Sequence, residues 1–143
     1  MMKRSATLII TIFLLLLCMS TTSLAKVYTD NSVHPLYTYI TKIDGSFSIK
    51  NGKAECYGAG RSQYADTTTI VSVTLQKRTT DTTTWSSVCS WSDTQTGKSY
   101  AIVSEEKSIS KGYDYRILVK CTIKDSEGVI RETDSMYSRV IPY

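Results

Sequence analysis

Apolar and polar residues alternate with a period of two along most of the chain after residue 40. This alternation is typical of strands with one buried face, and no stretch keeps the 3.6-residue spacing of an amphipathic helix for three turns. The clearest predicted strands lie at residues 42–50, 53–61, 70–77, 85–91 and 113–124, with weaker ones at 99–109 and 129–143. With turn residues between them, these segments predict an all-β domain of about seven or eight short antiparallel strands.

The dipeptide Asn51-Gly52 separates the first two predicted strands. It favours a type I′ turn, because both central residues of that turn need a positive φ. A two-residue loop fixes the register, so Phe47 is expected to face Cys56 on the apolar side of the hairpin. Gly58 and Gly60 in the second strand indicate a bulge or a close backbone approach. In the strand at 113–124, the residues expected inward are Tyr115, Ile117, Val119, Cys121 and Ile123.

Three further expectations concern the other strands. The residues expected on one face of the strand at 85–91 are Trp85, Ser87, Cys89 and Trp91. The residues expected to point inward at 99–109 are Tyr100, Ile102 and Ile109. Residues 129–143 are more polar and are expected to return as an edge strand, because a proline near the end of a strand suits an edge.

The first 25 residues have the pattern of a secretory signal peptide. Lys3 and Arg4 precede a short apolar run at residues 8–17, and small residues lead up to Ala25. The run is shorter than the roughly 20 residues that a membrane span needs. We therefore expect cleavage after Ala25 and a secreted, extracellular protein. An uncleaved N-terminal anchor is the alternative.

The predicted organisation has three parts. Residues 1–25 form the cleaved signal helix, residues 26–35 form a loosely ordered segment with few apolar side chains, and residues 36–143 form one β-sandwich domain. No second apolar run follows, so no membrane span is expected in the mature chain. The formal net charge of +4 includes Lys3 and Arg4. The mature chain is thus close to charge balance, and we expect no nucleic-acid partner, which would require a clustered basic face.

Residues suited to catalysis or metal binding are few. His34 is the only histidine, and it lies beside Pro35 in the polar segment, where a rigid site is not expected. Glu105 and Glu106 are adjacent on a predicted strand, so they should point to opposite faces and not flank one sugar bond. The chain has no phosphate-binding glycine loop, nucleophile elbow or zinc spacing. We predict a protein that is not an enzyme and uses no cofactor or metal.

Residues 112–116, Gly-Tyr-Asp-Tyr-Arg, resemble the turn that enters strand F in immunoglobulin-like and fibronectin-type sandwiches. The resemblance implies an immunoglobulin-like β-sandwich in which Tyr115 is the tyrosine-corner residue, with its hydroxyl bonded to upstream backbone. The chain departs from true immunoglobulin domains at Val119, where a tyrosine would stand. It also has no tryptophan on the predicted strand C at residues 70–77.

Three cysteines follow the signal peptide, and export makes a disulfide chemically permissible. The resemblance implies a disulfide between Cys56 on strand B and Cys121 on strand F. The odd count leaves one thiol over, or none of the three paired. If Cys56 and Cys121 pair, Cys89 is a buried structural thiol, an intermolecular partner or a nucleophile.

Short motifs run in order through the mature chain. They are Ala54-Glu55-Cys56, Leu-Gln-Lys-Arg at 75–78, Trp-Ser-Ser-Val at 85–88 with Trp91, Lys111-Gly112, Tyr115-Arg116, Glu132 and Ser138. The set is similar to that of a family of small secreted proteins from Gram-positive bacteria with no assigned function. This resemblance implies secretion and a β-sandwich, and it implies no catalytic residue and no ligand.

Tyrosine is frequent, with ten residues in the chain. Exposed tyrosine rings stack on sugars and anchor protein interfaces at low entropic cost, although such rings also serve simply to cover a sheet. The candidate aromatic binding patch comprises Tyr57, Tyr64, Tyr113 and Tyr137. We therefore expect a non-catalytic extracellular binding module for a glycan, an envelope component or a protein.

Two other functions remain open from the sequence. A secreted effector or antimicrobial-type protein acting on other cells' membranes would need an amphipathic basic element, and none is found. A small secreted hydrolase would need a cleft with two convergent polar side chains.

Overall fold

The computed structural model describes residues 38–143. The predicted signal helix at 1–25, the segment at 26–35 and His34 lie outside the described residues. The described part contains eight strands: β1 (Ile40–Lys50), β2 (Lys53–Ser62), β3 (Thr68–Arg78), β4 (Ser86–Thr96), β5 (Ala101–Ser108), β6 (Asp114–Lys124), β7 (Ile130–Tyr137) and β8 (Ile141–Pro142). Between residues 38 and 143 there is no helix, and hence none long and apolar enough to cross a membrane.

The strands form two antiparallel sheets around one hydrophobic core. The three-stranded sheet has the order β1-β2-β5, and the five-stranded sheet has the order β4-β3-β6-β7 with β8 paired to β6. Inward side chains of both sheets meet in a single cluster, whose fully buried members include Val71, Val73, Ile117, Val119 and Ile123. The all-β prediction and the expected number of strands are therefore confirmed.

The β1–β2 hairpin has the turn and register that the sequence predicts. Asn51 and Gly52 have φ values of 50° and 77°, as a type I′ turn requires. Phe47 lies opposite Cys56, and both are buried. The alternation predicted for β6 is also confirmed, since its buried residues include Tyr115, Ile117, Val119, Cys121 and Ile123.

Glycines on the three-stranded sheet allow the two sheets to approach closely. A Cβ atom at Gly45 would lie 2.8 Å from Val119 Cγ2, and one at Gly58 would lie 2.4 Å from Val73 Cγ2. Carbon atoms attract best at roughly 3.5–4.0 Å, so no side chain fits at these positions. The close approach expected from the glycines of β2 is thus present.

Strand β4 contains a β-bulge that the sequence pattern did not reveal. Leu75 of β3 pairs with Cys89, but the next residue, Gln76, pairs with Ser87. Val88 is therefore an extra residue without an opposite partner, and an extra residue shifts the alternation of side chains by one position.

The bulge makes the predicted facing of residues 85–91 wrong. Cys89 and Trp91 pack against the core, whereas Trp85 lies on the outer surface of the sheet over the guanidinium group of Arg116. The two tryptophans therefore occupy opposite sides of the five-stranded sheet.

The facing predicted for residues 99–109 is also largely wrong. Ala101 and Val103 are buried, while Tyr100 and Ile102 are 41% and 47% exposed. Ala101 and Val103 lie opposite glycines of β2, where the narrow gap between the sheets accepts only small side chains. Ile109, which follows the strand, does pack against the core as expected.

The C-terminal region forms two strands instead of one. Ser138 occupies the break: its hydroxyl accepts a hydrogen bond from the Ile117 N–H (3.0 Å) and donates one to the Arg139 carbonyl (2.9 Å). Strand β7 is an edge strand, as expected, and β8 pairs with the start of β6.

Candidate functional site

The four tyrosines of the predicted patch have different neighbours. Tyr57 lies on the outer face of the three-stranded sheet, Tyr64 packs against Tyr39, Tyr113 lies beside Tyr115 and Lys77, and Tyr137 lies beside Arg116. Tyr57, Tyr64 and Tyr137 each border a different surface depression. The depression at Tyr64 combines an aromatic pair with several hydrogen-bonding groups, and it is the candidate site.

This depression, the end cavity, lies at one end of the domain and has a volume of about 370 Å³. It is formed by the residue before β1, the β2–β3 connection and the β6–β7 turn. Its lining residues are Tyr39, Tyr64, Asp66, Thr67, Asp125, Ser126, Glu127 and Arg131. Connections that project from a rigid pair of sheets are common places for binding sites.

The aromatic wall of the end cavity is a pair of tyrosines. The ring centroids of Tyr39 and Tyr64 are 5.0 Å apart with an interplanar angle of 53°, within the range of favourable aromatic pairs. Tyr64 is also held by its backbone, since its N–H donates to Ser62 Oγ (3.1 Å) and its carbonyl accepts from Thr67 Oγ1 (3.0 Å). Tyr64 is 40% exposed, so part of its ring is accessible to a ligand.

Glu132 of β7 fixes the position of Tyr39. Its Oε2 atom accepts hydrogen bonds from the N–H groups of Tyr39 and Ile40, both at 2.7 Å, and its Oε1 atom accepts from the Thr38 N–H at 3.3 Å. Hydrogen bonds to a charged acceptor are roughly twice as strong as neutral ones. Glu132 is therefore a positioning residue for the aromatic wall, and more than 90 residues of sequence separate it from its partners.

The opposite wall is a turn stiffened by Asp125. Its Oδ1 atom accepts from the N–H groups of Glu127 (3.0 Å) and Val129 (2.9 Å), and its Oδ2 atom accepts from Arg131 Nε (2.6 Å). Loss of water contact raises the pKa of the Asp125 carboxyl, but the hydrogen bonds from Val129 and Arg131 outweigh it and hold the pKa below its ordinary value. Asp125 therefore stays an ionised acceptor at neutral pH.

The groups around the end cavity suit reversible binding of a polyhydroxylated ligand. Tyrosine rings supply apolar faces, Asp66 and Glu127 supply carboxylate acceptors, and Arg131 supplies donors. Within residues 38–143, no group of three or more His, Cys, Asp or Glu side chains is arranged to hold a metal ion.

A second depression, of about 390 Å³, lies on the outer face of the three-stranded sheet beside Tyr57. Two of its three carboxylates are paired: Glu55 accepts from Ser48 Oγ (2.5 Å) and Lys50 Nζ (2.8 Å), and Glu106 pairs with Lys53 at 3.0 Å. The third, Glu105, is exposed. The Lys50 hydrogen bond, followed by the one from Ser48, holds the pKa of Glu55 below its ordinary value. An ionised carboxylate cannot serve as the general acid of a hydrolase.

The outer face of the five-stranded sheet carries a stacked cation. The guanidinium carbon of Arg116 lies 4.1 Å from the centroid of the Trp85 ring and 4.0 Å from that of Tyr137. Arg116 Nε donates to Gln76 Oε1 at 2.9 Å, so the guanidinium plane is fixed from three sides. Sequence reasoning missed this cluster because Trp85 reaches the outer face only through the bulge in β4.

Tyr115 makes the hydrogen bond that characterises a tyrosine corner. Its hydroxyl donates to the Ser110 carbonyl at 2.8 Å, and its side chain is buried. Burial raises the pKa of the Tyr115 hydroxyl, which keeps it protonated as a donor. The residue therefore anchors the loop before β6 and takes no part in a binding surface.

The structure does not bring Cys56 and Cys121 together, and both are free thiols here. Cys121 Sγ lies only 2.7 Å from the place where a Cβ atom of Gly60 would be. Gly60 is four residues from Cys56 on the same strand, or roughly 13 Å along it. A disulfide needs Cα atoms within about 7 Å, so the predicted pair would require a different packing of the sheets.

The thiols have low nucleophilicity. Burial raises the pKa of the Cys56 thiol to about 12 and that of the Cys121 thiol to about 11. It also raises the pKa of Cys89, which is only half-buried on the edge strand β4. Because the thiolate is the reactive form, none of the three is placed for nucleophilic catalysis.

We expect alkylation of the folded, reduced protein at neutral pH to modify Cys89 first. Cys56 and Cys121 should react only after unfolding, because they are protonated and enclosed. Mass spectrometry of peptides labelled before and after addition of denaturant measures this order. Rapid native labelling of Cys121 would contradict the packing against Gly60.

No protein-family model matches the chain, and no curated protein matches it either. The similarity to small secreted Gram-positive proteins therefore stays a hypothesis, and the functional conclusions below rest on the geometry of the described residues.

Proposed function

We propose that the protein is a secreted, non-catalytic binding module that holds a glycan in the end cavity. The observation that carries the proposal is the Tyr39–Tyr64 pair, 5.0 Å between ring centroids, beside a set of fixed hydrogen-bonding groups. Sugar rings present apolar C–H faces to tyrosine and hydroxyl groups to carboxylates, so both features of the cavity are used.

The fixed polar groups favour binding over catalysis. Asp125 is engaged by Arg131 and by backbone N–H groups, so it stiffens the turn as an acceptor and does not deliver a proton. Glycoside hydrolysis requires one protonated and one ionised carboxyl flanking the scissile bond. The neighbouring carboxylates of Asp66 and Glu127 are the acceptors available to the hydroxyl groups of a ligand.

We further propose that the scaffold is an immunoglobulin-like sandwich. In that fold, strands A, B and E share one sheet, and strands C, F and G share the other. The order β1-β2-β5 and the order β3-β6-β7 correspond to these sets, with β4 added beside β3. The bond from Tyr115 to Ser110 supports the same assignment.

The proposal of an extracellular location rests on the signal-peptide pattern at residues 1–25 and on the similarity to secreted Gram-positive proteins. An exported module that binds glycans would meet them on cell envelopes or in the surrounding medium. The end cavity is small, so we propose that it accommodates one or two sugar units rather than a long chain segment.

Tyr64→Ala is expected to weaken glycan binding about tenfold, because removal of a central aromatic contact typically costs this much or more. Screening on a glycan array followed by isothermal titration calorimetry of the best ligand measures the effect. Tyr64→Phe retains the ring and should bind within about twofold of the unchanged protein.

Tyr57→Ala serves as the matched control, because Tyr57 lies on the outer face of the three-stranded sheet. It should leave the affinity unchanged. An equal loss for Tyr57→Ala and Tyr64→Ala, with both variants folded by circular dichroism, would place the binding site elsewhere. An array with no bound glycan would refute the proposed ligand class.

A further inference from the structure

The outer face of the five-stranded sheet carries a line of cations along β6. Side chains of β6 alternate with the buried residues of that strand, so the outward ones are Arg116, Leu118, Lys120, Thr122 and Lys124, of which three are cations. These three cations recur every fourth position, which corresponds to a spacing of roughly 13 Å on a strand. We name them the β6 track. It extends along an inner strand that has β3 on one side and β7 on the other.

Hydroxyl side chains border the β6 track on both sides. Lys120 lies opposite Ser72 of β3 and Ser135 of β7, and Ser72 in turn lies opposite Ser92 of β4. The other hydroxyl residues on this face are Thr68, Thr74, Ser87, Ser90, Thr94, Thr96, Thr122 and Thr133. Around Lys120 the face is thus uncharged, and its hydroxyl groups are short hydrogen-bond donors and acceptors.

Carboxylates are almost excluded from this face among the described residues. Strand β3 contains no Asp or Glu. Asp93, Glu132 and Asp134 lie opposite buried residues and therefore belong to the inward side of their strands. The remaining carboxylate is that of Asp114, which is bonded to Arg78 at 3.1 Å.

The outer face of the other sheet shows the opposite arrangement. Its lysines are matched by carboxylates in three ion pairs, namely Lys42–Asp44, Lys50–Glu55 and Lys53–Glu106. The segregation of positive charge onto the five-stranded sheet is therefore a property of that face and not of the composition, which is close to balance once Lys3 and Arg4 are set aside.

Arg116 is preorganised at one end of the track. A guanidinium group has five N–H donors in a planar fork that matches carboxylate, sulfate and phosphate oxygens. The bond to Gln76 uses the donor on Nε, and the rings of Trp85 and Tyr137 fix the plane. The entropic cost of ordering this side chain around an anion has thus been met in the free protein.

We propose that this face binds a linear anionic polysaccharide along the β6 track. The regular line of cations fits a polymer with repeated acidic groups, the flanking hydroxyls fit its sugar hydroxyls, and Trp85 and Tyr137 offer ring surfaces at one end. This interaction involves residues other than those of the end cavity and does not depend on glycan binding there.

Biolayer interferometry with immobilised polygalacturonate, and with neutral dextran as a reference, tests the proposal. Saturable binding to polygalacturonate alone is expected, and it should weaken steeply between about 50 mM and 200 mM salt. Lys120→Ser changes an exposed side chain and should reduce the affinity about fivefold. Arg116→Gln should reduce it at least as much.

Lys53→Gln is the control, because it removes the same charge from the outer face of the other sheet. It should change the affinity by less than about twofold. An equal loss for Lys53→Gln and Lys120→Ser, equal binding to dextran, or tighter binding to duplex DNA or to vesicles of anionic lipid would overturn the proposal. Tyr64→Ala should leave polygalacturonate binding unchanged, which separates this surface from the end cavity.

Discussion

Gly58→Ala is expected to lower the free energy of unfolding by about 1–3 kcal/mol, the usual cost of overpacking a tight core. The new Cβ atom would lie 2.4 Å from Val73 Cγ2 and 3.0 Å from Val119 Cγ1. Both valines are fully buried and stand on inner strands of the five-stranded sheet, so neither can move without disturbing hydrogen-bonded neighbours. Urea denaturation followed by tryptophan fluorescence measures the loss.

Val73→Ala provides an internal test of this explanation. Alone it leaves a cavity and destabilises the protein, but in combination with Gly58→Ala it removes the nearest methyl group that the new Cβ atom would meet. The double variant should therefore be more stable than the sum of the two single losses predicts. If the loss in the double variant equals the sum of the two single losses, the contact between residue 58 and Val73 is not the source of the strain.

Glu132→Ala is expected to cost about 2–3 kcal/mol, because it removes a charged acceptor from three backbone N–H groups. Two of these groups, those of Tyr39 and Ile40, bond to it at 2.7 Å. The start of β1 should loosen, and glycan binding in the end cavity should weaken because Tyr39 loses its anchor. Urea denaturation gives the stability change, and hydrogen exchange at the Tyr39 and Ile40 amides locates it.

Two variants separate the anchoring role of Glu132 from a general charge effect. Glu132→Gln keeps one acceptor oxygen and should retain part of the stability. Glu105→Ala removes an exposed carboxylate of β5 and should change it by less than about 0.5 kcal/mol. If the Tyr39 and Ile40 amides exchange equally fast before and after Glu132→Ala, the anchor has no energetic role.

Features governed by neighbouring residues could be predicted from the sequence. The register of the β1–β2 hairpin follows from Asn51 and Gly52, whose positive φ values allow the two-residue turn. The inward residues of β6 follow from uninterrupted alternation between Tyr115 and Ile123. In both cases the determining interactions lie within a dozen residues along the chain.

Features that depend on distant packing could not be predicted. Hydrophobicity favours Tyr100 and Ile102 as core residues, but the approach of the sheets at the glycines of β2 leaves space only for Ala101 and Val103. The end cavity likewise requires Tyr39 to meet Tyr64, and this depends on a carboxylate of β7. Local patterns contain no signal for such a contact, although Tyr64 itself was a predicted binding residue.

Because Val88 is an extra residue, the two parts of β4 on either side of it can be substituted with separate effects on the surface and on the core. On one side of it, Trp85 forms part of the outer surface around Arg116; on the other, Cys89 and Trp91 pack against the core. Substitutions near Trp85 can therefore alter recognition without repacking the core. Deletion of the extra residue would restore the alternation and direct the Trp85 ring towards the inner side of the sheet, so a change in the length of this segment disturbs the sheet more than a substitution within it.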